Sequence, residues 1–150
     1  MSTEISAQAP YVLAAGEGKR LAWFEATIIL KASSPHLGTT EVIIHPGEEP
    51  PMHVHKNEDE WFYVIDGEVT FHVGGESHRG GAGAFVSFPR GIPHTFTVES
   101  SSAHFIVMNT PGGFERMFEL APKCNEEAAR AMQAVGIVIV GPNPRYAKAA

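Results

Sequence analysis

The chain has a single cysteine, Cys124, in 150 residues. No internal disulfide can form and no zinc site built on several thiolates is possible, so any metal must sit on histidine and carboxylate. Basic side chains are also scarce. Eleven Lys and Arg against 17 Asp and Glu give a formal net charge of −6, and the Lys and Arg form no cluster. That balance argues against a nucleic-acid or anionic-membrane partner and for a small molecule. No apolar run approaches the roughly 18 residues of a membrane-spanning helix. Met1 to Gly18 lacks the basic start and continuous apolar block of a secretory signal. A cytoplasmic protein without a membrane segment is the expectation, and 43% hydrophobic with 19% charged residues fits one globular domain.

What is present is a succession of short β-branched and aromatic runs cut by Gly, Pro and Asp. Residues 1–20 read as a loosely structured arm. Thr27–Lys31 and Thr40–Ile44 read as strands on either side of the turn-rich Ser33–Gly38, and the pattern continues to Asn109. Many short strands with regular turn punctuation predict an all-β sandwich or barrel. The clearest hairpin spans Glu60 to Val73, with Asp66-Gly67 as a two-residue turn. Pairing Ile65 with Glu68 puts Glu60, Phe62, Val64, Val69, Phe71 and Val73 on one face, and Trp61, Tyr63, Ile65, Thr70 and His72 on the other. Glu60 is alone among apolar side chains, so a cationic partner should face it, because a buried charge must be paired or bind a metal. By the same parity Asp59 points away, and Glu58 lies further from the strand.

Beyond Pro111-Gly112-Gly113, Phe114, Met117, Phe118 and Leu120 follow helical spacing. Glu126–Val135 reads as an Ala-rich helix ended by Gly136, Ile137–Val140 as a last strand or extended segment, and Pro142-Asn143-Pro144 as loop.

Three imidazoles and a carboxylate stand out. His53 and His55 are two apart, so on a strand they share a face, and Pro50-Pro51 suits the strand's start. His94, Phe96 and Val98 alternate with Thr95 and Thr97, which puts His94 on an inner face. With Glu60 these residues make a ligand set for one divalent ion. Mixed His and carboxylate sites accept Fe, Ni, Mn, Co, Cu or Zn, so the residues do not name the metal. His36, His45, His72, His78 and His104 have no partners at ligand spacing and read as surface or strand residues. Cys124 is assigned no role. Arg90 could orient an anion but reads better as a solvated loop charge.

The stretch Gly47, His53, His55, Glu60 and Gly67 resembles the first motif of the cupin superfamily, and Gly83, Pro89, Gly91 and His94 resemble its second. The resemblance implies a double-stranded β-helix jelly roll spanning 1–150 as one domain, with a barrel core at about 26–110, an N-terminal arm at 1–25 and a C-terminal helical extension at 111–150. It also implies that His53, His55, Glu60 and His94 bind one metal ion per chain. Glu58–Val64 and Thr110–Arg116 resemble, more loosely, small bacterial cupins likened to quercetin dioxygenases. One position departs: the second motif commonly has Asn four residues after its His, where this chain has Val98.

The expected lining, Phe62, Val64, Phe71, Phe96 and Val98 with Phe114 and Phe118 at the mouth, holds no inward Lys or Arg and suits a flat aromatic or apolar molecule. The first expectation is therefore a dioxygenase acting on a hydroxylated aromatic or enol of flavonol type, with Glu60 as ligand or as acceptor of the substrate's proton. The alternatives are a non-oxidative isomerase, cyclase or decarboxylase, and a non-catalytic binding module. Trp61, Tyr63 and Ile65 leave an apolar outer face to be covered by another sheet, the N-terminal arm or a second subunit; a homodimer is the expectation, which the resemblance to cupins supports.

Overall fold

Between Ala26 and Thr110 the chain alternates apolar and polar side chains with period two, and this stretch folds almost wholly into strands. The computed structural model describes residues 9–147. Its elements are β1 (Lys19–Trp23), β2 (Ala26–Ser33), β3 (Gly38–Ile44), β4 (Met52–His55), β5 (Asp59–Asp66), β6 (Val69–Val73), β7 (Glu76–Gly80), β8 (Phe85–Phe88), β9 (His94–Val98) and β10 (Ala103–Thr110). A 3₁₀ helix (Phe114–Leu120), α1 (Asn125–Ala134), β11 (Ile137–Gly141) and a 3₁₀ turn (Pro144–Tyr146) follow. Two antiparallel sheets face each other, ordered β1-β2-β3-β10-β5-β8 and β11-β4-β9-β6-β7. Their inner faces, Phe62, Val64 and Phe105 on one and Val69, Phe71, Phe96 and Val98 on the other, make the core. This is the expected jelly roll.

One expected pairing does not form. β5 lies between β10 and β8 in the first sheet, while β6 lies between β9 and β7 in the second. Ile65 and Glu68 are therefore not ladder partners, and at Asp66-Gly67-Glu68 the chain crosses from one sheet to the other. Of the two turn residues only Gly67 takes positive φ (93°), and a Cβ there would meet the Ser102 carbonyl oxygen at 2.5 Å. The face assignment survives, because side-chain alternation does not depend on which strand is the neighbour and each layer of a sandwich needs an inner face. Glu60, Phe62, Val64, Val69 and Phe71 are buried and Val73 half-buried, whereas Tyr63 and Ile65 are exposed.

The ends of the chain are more ordered than the sequence suggests. Lys19–Trp23, read as part of the arm, pairs with β2; the reading of residues 1–8 falls outside the described residues. The 3₁₀ helix buries Phe114, Met117 and Phe118 and leaves Leu120 at the surface. The segment Pro142-Asn143-Pro144, read as loop, is tied together with Arg145 to the second sheet. Asn143 is buried and donates to the carbonyl oxygens of Pro50 (2.8 Å) and Phe96 (3.0 Å). Arg145 donates to Glu49 (Nη2 to Oε1, 2.6 Å) and to the Val98 carbonyl (2.7 Å). This segment covers the outer side of β9, so Thr95 and Thr97 are buried along with His94, Phe96 and Val98. Among the described residues no helix is long and apolar enough to cross a membrane.

Candidate metal centre

β4 carries His53 and His55 on its inner face, and His53 is the ladder partner of His94 on β9. Glu60 enters from the opposite sheet, on β5 between Asn109 and Phe88. One donor atom from each of His53, His55, Glu60 and His94 falls within 4.8 Å of the others, and all four residues are buried. The four side chains that the sequence singled out therefore converge. His55 Nε2 lies 2.7 Å and His94 Nε2 3.3 Å from Glu60 Oε2.

The surroundings fix the rings. His53 Nδ1 lies 2.7 Å from the Pro51 carbonyl oxygen and His94 Nδ1 2.9 Å from that of Ile92. A ring that donates from Nδ1 to a carbonyl turns the lone pair of Nε2 toward the cluster, as metal-binding histidines do. The His94 ring stacks on Phe88 at 4.3 Å, and the His55 ring packs at 4.6 Å against Phe114. Burial, followed by the adjacent His94 and His55 rings, pushes His53 down to about 3. Burial also opposes charge on His55, but the Glu60 and Glu58 carboxylates outweigh it and raise that ring to about 9. Glu60 is held well below the usual carboxylate range: burial works against its charge, and the His55 and His94 rings overcome that. Three imidazoles and one carboxylate with fixed rings fit a divalent first-row ion.

The cluster forms part of the wall of a cavity of about 90 Å³. Phe62, Phe96, Phe114 and Phe118, expected at the substrate, line it together with Phe105, Met117 and Met132. Val64, Phe71 and Val98 do not line it and lie in the core between the sheets. Their alternation was read correctly, but the Phe62 ring, which packs on Phe71, Phe96 and Phe105, stands between Phe71 and the cavity. Glu48, which no motif or strand parity picks out, is among the described residues the one cavity-lining ionisable side chain outside the cluster. With Trp23, Pro50 and Met132 it also borders an outer groove of about 790 Å³, so these four residues stand between groove and cavity.

Other charged residues are occupied elsewhere. Arg90 forks onto Asp59 (3.1 and 3.2 Å), Glu41 accepts from His104 and Lys31, and Glu115, fully buried, accepts from Ser33, Asn109 and the Gly113 N–H. His36, His45, His72, His78 and His104 take no part in the cluster. Cys124 is exposed and begins α1.

Known proteins resemble the chain in the same region. Residues 40–109 match the cupin domain family. The chain is 26% identical over 145 residues to quercetin 2,3-dioxygenase of Bacillus subtilis (strain 168), an alignment covering 94% of this chain and 42% of that protein. It is 30% identical over 95 residues to oxalate decarboxylase OxdC of the same organism, covering 60% and 24%. The chain thus spans less than half the length of the curated relatives it matches. The solved structure of KdgF from Halomonas sp. superposes with a TM-score of 0.64 at 20% identity, covering 70% of this chain and 96% of that one, which is a likeness of fold. With its two-sheet roll, its two histidine-bearing motifs and the match over residues 40–109, the chain has the cupin jelly-roll fold and carries a cupin domain at its centre.

Proposed function

We propose that the protein is a metal-dependent enzyme that dioxygenates a hydroxylated aromatic or enol substrate of flavonol type. The observation that carries the reading is the convergence of three imidazoles and one carboxylate on the wall of an aromatic cavity. His53, His55, Glu60 and His94 would hold one divalent ion, which when bound supplies Lewis acidity toward a substrate oxygen and, if redox-active, a position for dioxygen. The remaining roles belong to the chain itself. Phe62, Phe96, Phe114 and Phe118 offer ring faces and edges to a flat substrate and keep water out. Glu60, the carboxylate of the cluster, would either remain a ligand or swing away to take the substrate's hydroxyl proton on a carboxylate oxygen. Similarity to quercetin 2,3-dioxygenase along 94% of the chain supports this substrate class. The test is incubation of metal-reconstituted protein with quercetin, with and without oxygen. Turnover should require oxygen and carry oxygen atoms from isotopically labelled dioxygen into the products, the lost ring carbon included in the balance; undiminished anaerobic turnover excludes the proposal.

A second reading draws on the cavity's size. About 90 Å³ is well below the roughly 300–1,000 Å³ typical of ligand pockets. A flavonol would need the cover formed by the 3₁₀ helix and α1 to move, whereas a small acid would not. This favours a non-oxidative decarboxylase, isomerase or cyclase using the same ligands, and a product without added oxygen mass identifies it. We further infer a homodimer, supported by Tyr63, Ile65 and Phe85 at 45%, 41% and 60% exposure on one outer face. Sedimentation equilibrium giving a monomer at micromolar concentration rules that out.

A further inference from the structure

Each ring of the cluster has a second nitrogen, and its surroundings differ from one histidine to the next. His53 and His94 each turn Nδ1 to a backbone carbonyl oxygen, that of Pro51 or Ile92. His55 has no such carbonyl. Among the described residues its Nδ1 is buried without a hydrogen-bond partner, and the atom facing it at 3.7 Å is Glu58 Oε2, which is buried and unpartnered among them too. Two buried polar atoms opposite each other are costly unless they are satisfied, and each is the other's nearest candidate. Glu58 is 4% exposed and does not line the cavity, so it can act only through the ring beside it. The other flank of His55 is closed by Phe114, and a Cβ at the neighbouring Gly113 would lie 3.7 Å from Glu58 Oε1, so the loop after β10 packs over this pair.

The ring's chemistry gives the geometry a purpose. His55 Nε2 lies 2.7 Å from Glu60 Oε2. An Nε2 that ligates a cation carries no proton, so the neutral ring's proton is on Nδ1, aimed at Glu58. We propose that Glu58 is the positioning residue for His55: it accepts the Nδ1–H hydrogen bond and holds the ring with Nε2 toward the ion. The inference rests on the metal-centre reading above. His53 and His94 lean on neutral carbonyls, so His55 becomes the ligand with the most electron-rich support.

The experiment compares the wild-type protein with Glu58→Ala and Glu58→Gln. Zn(II) and Co(II) affinity is read by competition with a chromophoric chelator, and the ring N–H protons of the Zn(II)-loaded proteins by NMR. Glu58→Ala should weaken binding about 10–100-fold, the usual effect of removing such a partner. Glu58→Gln, whose amide oxygen still accepts the bond, should fall between Glu58→Ala and wild type. The wild-type spectrum should hold slowly exchanging Nδ1–H signals for His53, His55 and His94, with that of His55 lost in Glu58→Ala and kept in Glu58→Gln. Affinities within twofold of wild type in both variants, or an undisturbed His55 signal in Glu58→Ala, overturn the proposal while leaving the metal-centre reading intact. A wild-type protein that binds neither ion overturns both.

Discussion

Glu49 shows how one side chain can join three parts of the molecule. Its carboxylate accepts hydrogen bonds from the Gly47 N–H (2.8 Å), the Val98 N–H (2.9 Å) and Arg145. Burial alone would raise its pKa, but Arg145 and the two N–H groups outweigh burial and hold it below the ordinary value of 4.5. A lowered folded-state pKa means that the ionised carboxylate's contribution is complete above about pH 4.5 and is lost as the pH falls through the folded value. Glu49→Gln should therefore cost about 2 kcal/mol at neutral pH, and the gap to wild type in urea unfolding should narrow as the pH is taken below 4.5. A gap independent of pH would remove the carboxylate's charge from the explanation. At the cluster, His55→Ala should take metal content, measured by elemental analysis after purification without chelator, from roughly one ion per chain to near zero. The ligand residues were legible because each sits on a strand, where parity decides direction. Glu58 was not, since it precedes Asp59, the first residue of β5, and parity has no hold on a loop residue. Glu49 meets Arg145 across 96 residues of sequence and Asn143 meets Phe96 across 47, which no local pattern reports.

Among the elements, β5 and β6 show what periodicity can and cannot specify. Alternation identified their buried faces, yet the apparent hairpin turn is a crossing between sheets. Asp66-Gly67 suits either geometry at the level of residue preference, and what decides is the approach of the β10 end of the barrel to Gly67. That approach leaves no room for a side chain: with φ at 93° and the Ser102 carbonyl oxygen 2.5 Å from a built Cβ, Gly67→Ala should destabilise the protein by about 2 kcal/mol or more. Thermal unfolding checks this, and a change under 0.5 kcal/mol would mean that the crossing adjusts freely. The 3₁₀ helix was legible as a buried Phe114, Met117, Phe118 stripe but not as 3₁₀. The stripe fixes which face is covered, toward β1 and α1, but apolar spacing does not separate a 3₁₀ turn from an α turn over seven residues.

For the whole molecule, the cluster joins both sheets: His53, His55 and His94 come from one and Glu60 from the other. A cation bound there stabilises only the folded chain, since the unfolded one scatters the four donors. At a free metal concentration of 100 times Kd the gain is about 2.7 kcal/mol, which for a chain of this length is a rise in Tm of roughly 5–10 °C. Differential scanning calorimetry with Zn(II) and then with excess EDTA should show the rise and its reversal; an unchanged Tm counts against a site bridging the sheets. The all-β architecture was legible from the punctuation of short strands. The covered outer side of β9 was not, because the tail that covers it has the Pro and Asn content of a loop.

Trp23 stands where the groove meets the cavity, its ring edge-on to Phe118 at 5.3 Å, while the other tryptophan, Trp61, lies on the outer side of the first sheet. The two indoles thus occupy separate compartments of one small protein. Indole emission from a Trp61→Phe chain would come from the threshold alone, giving an optical signal of entry and exit that needs no turnover and no attached dye.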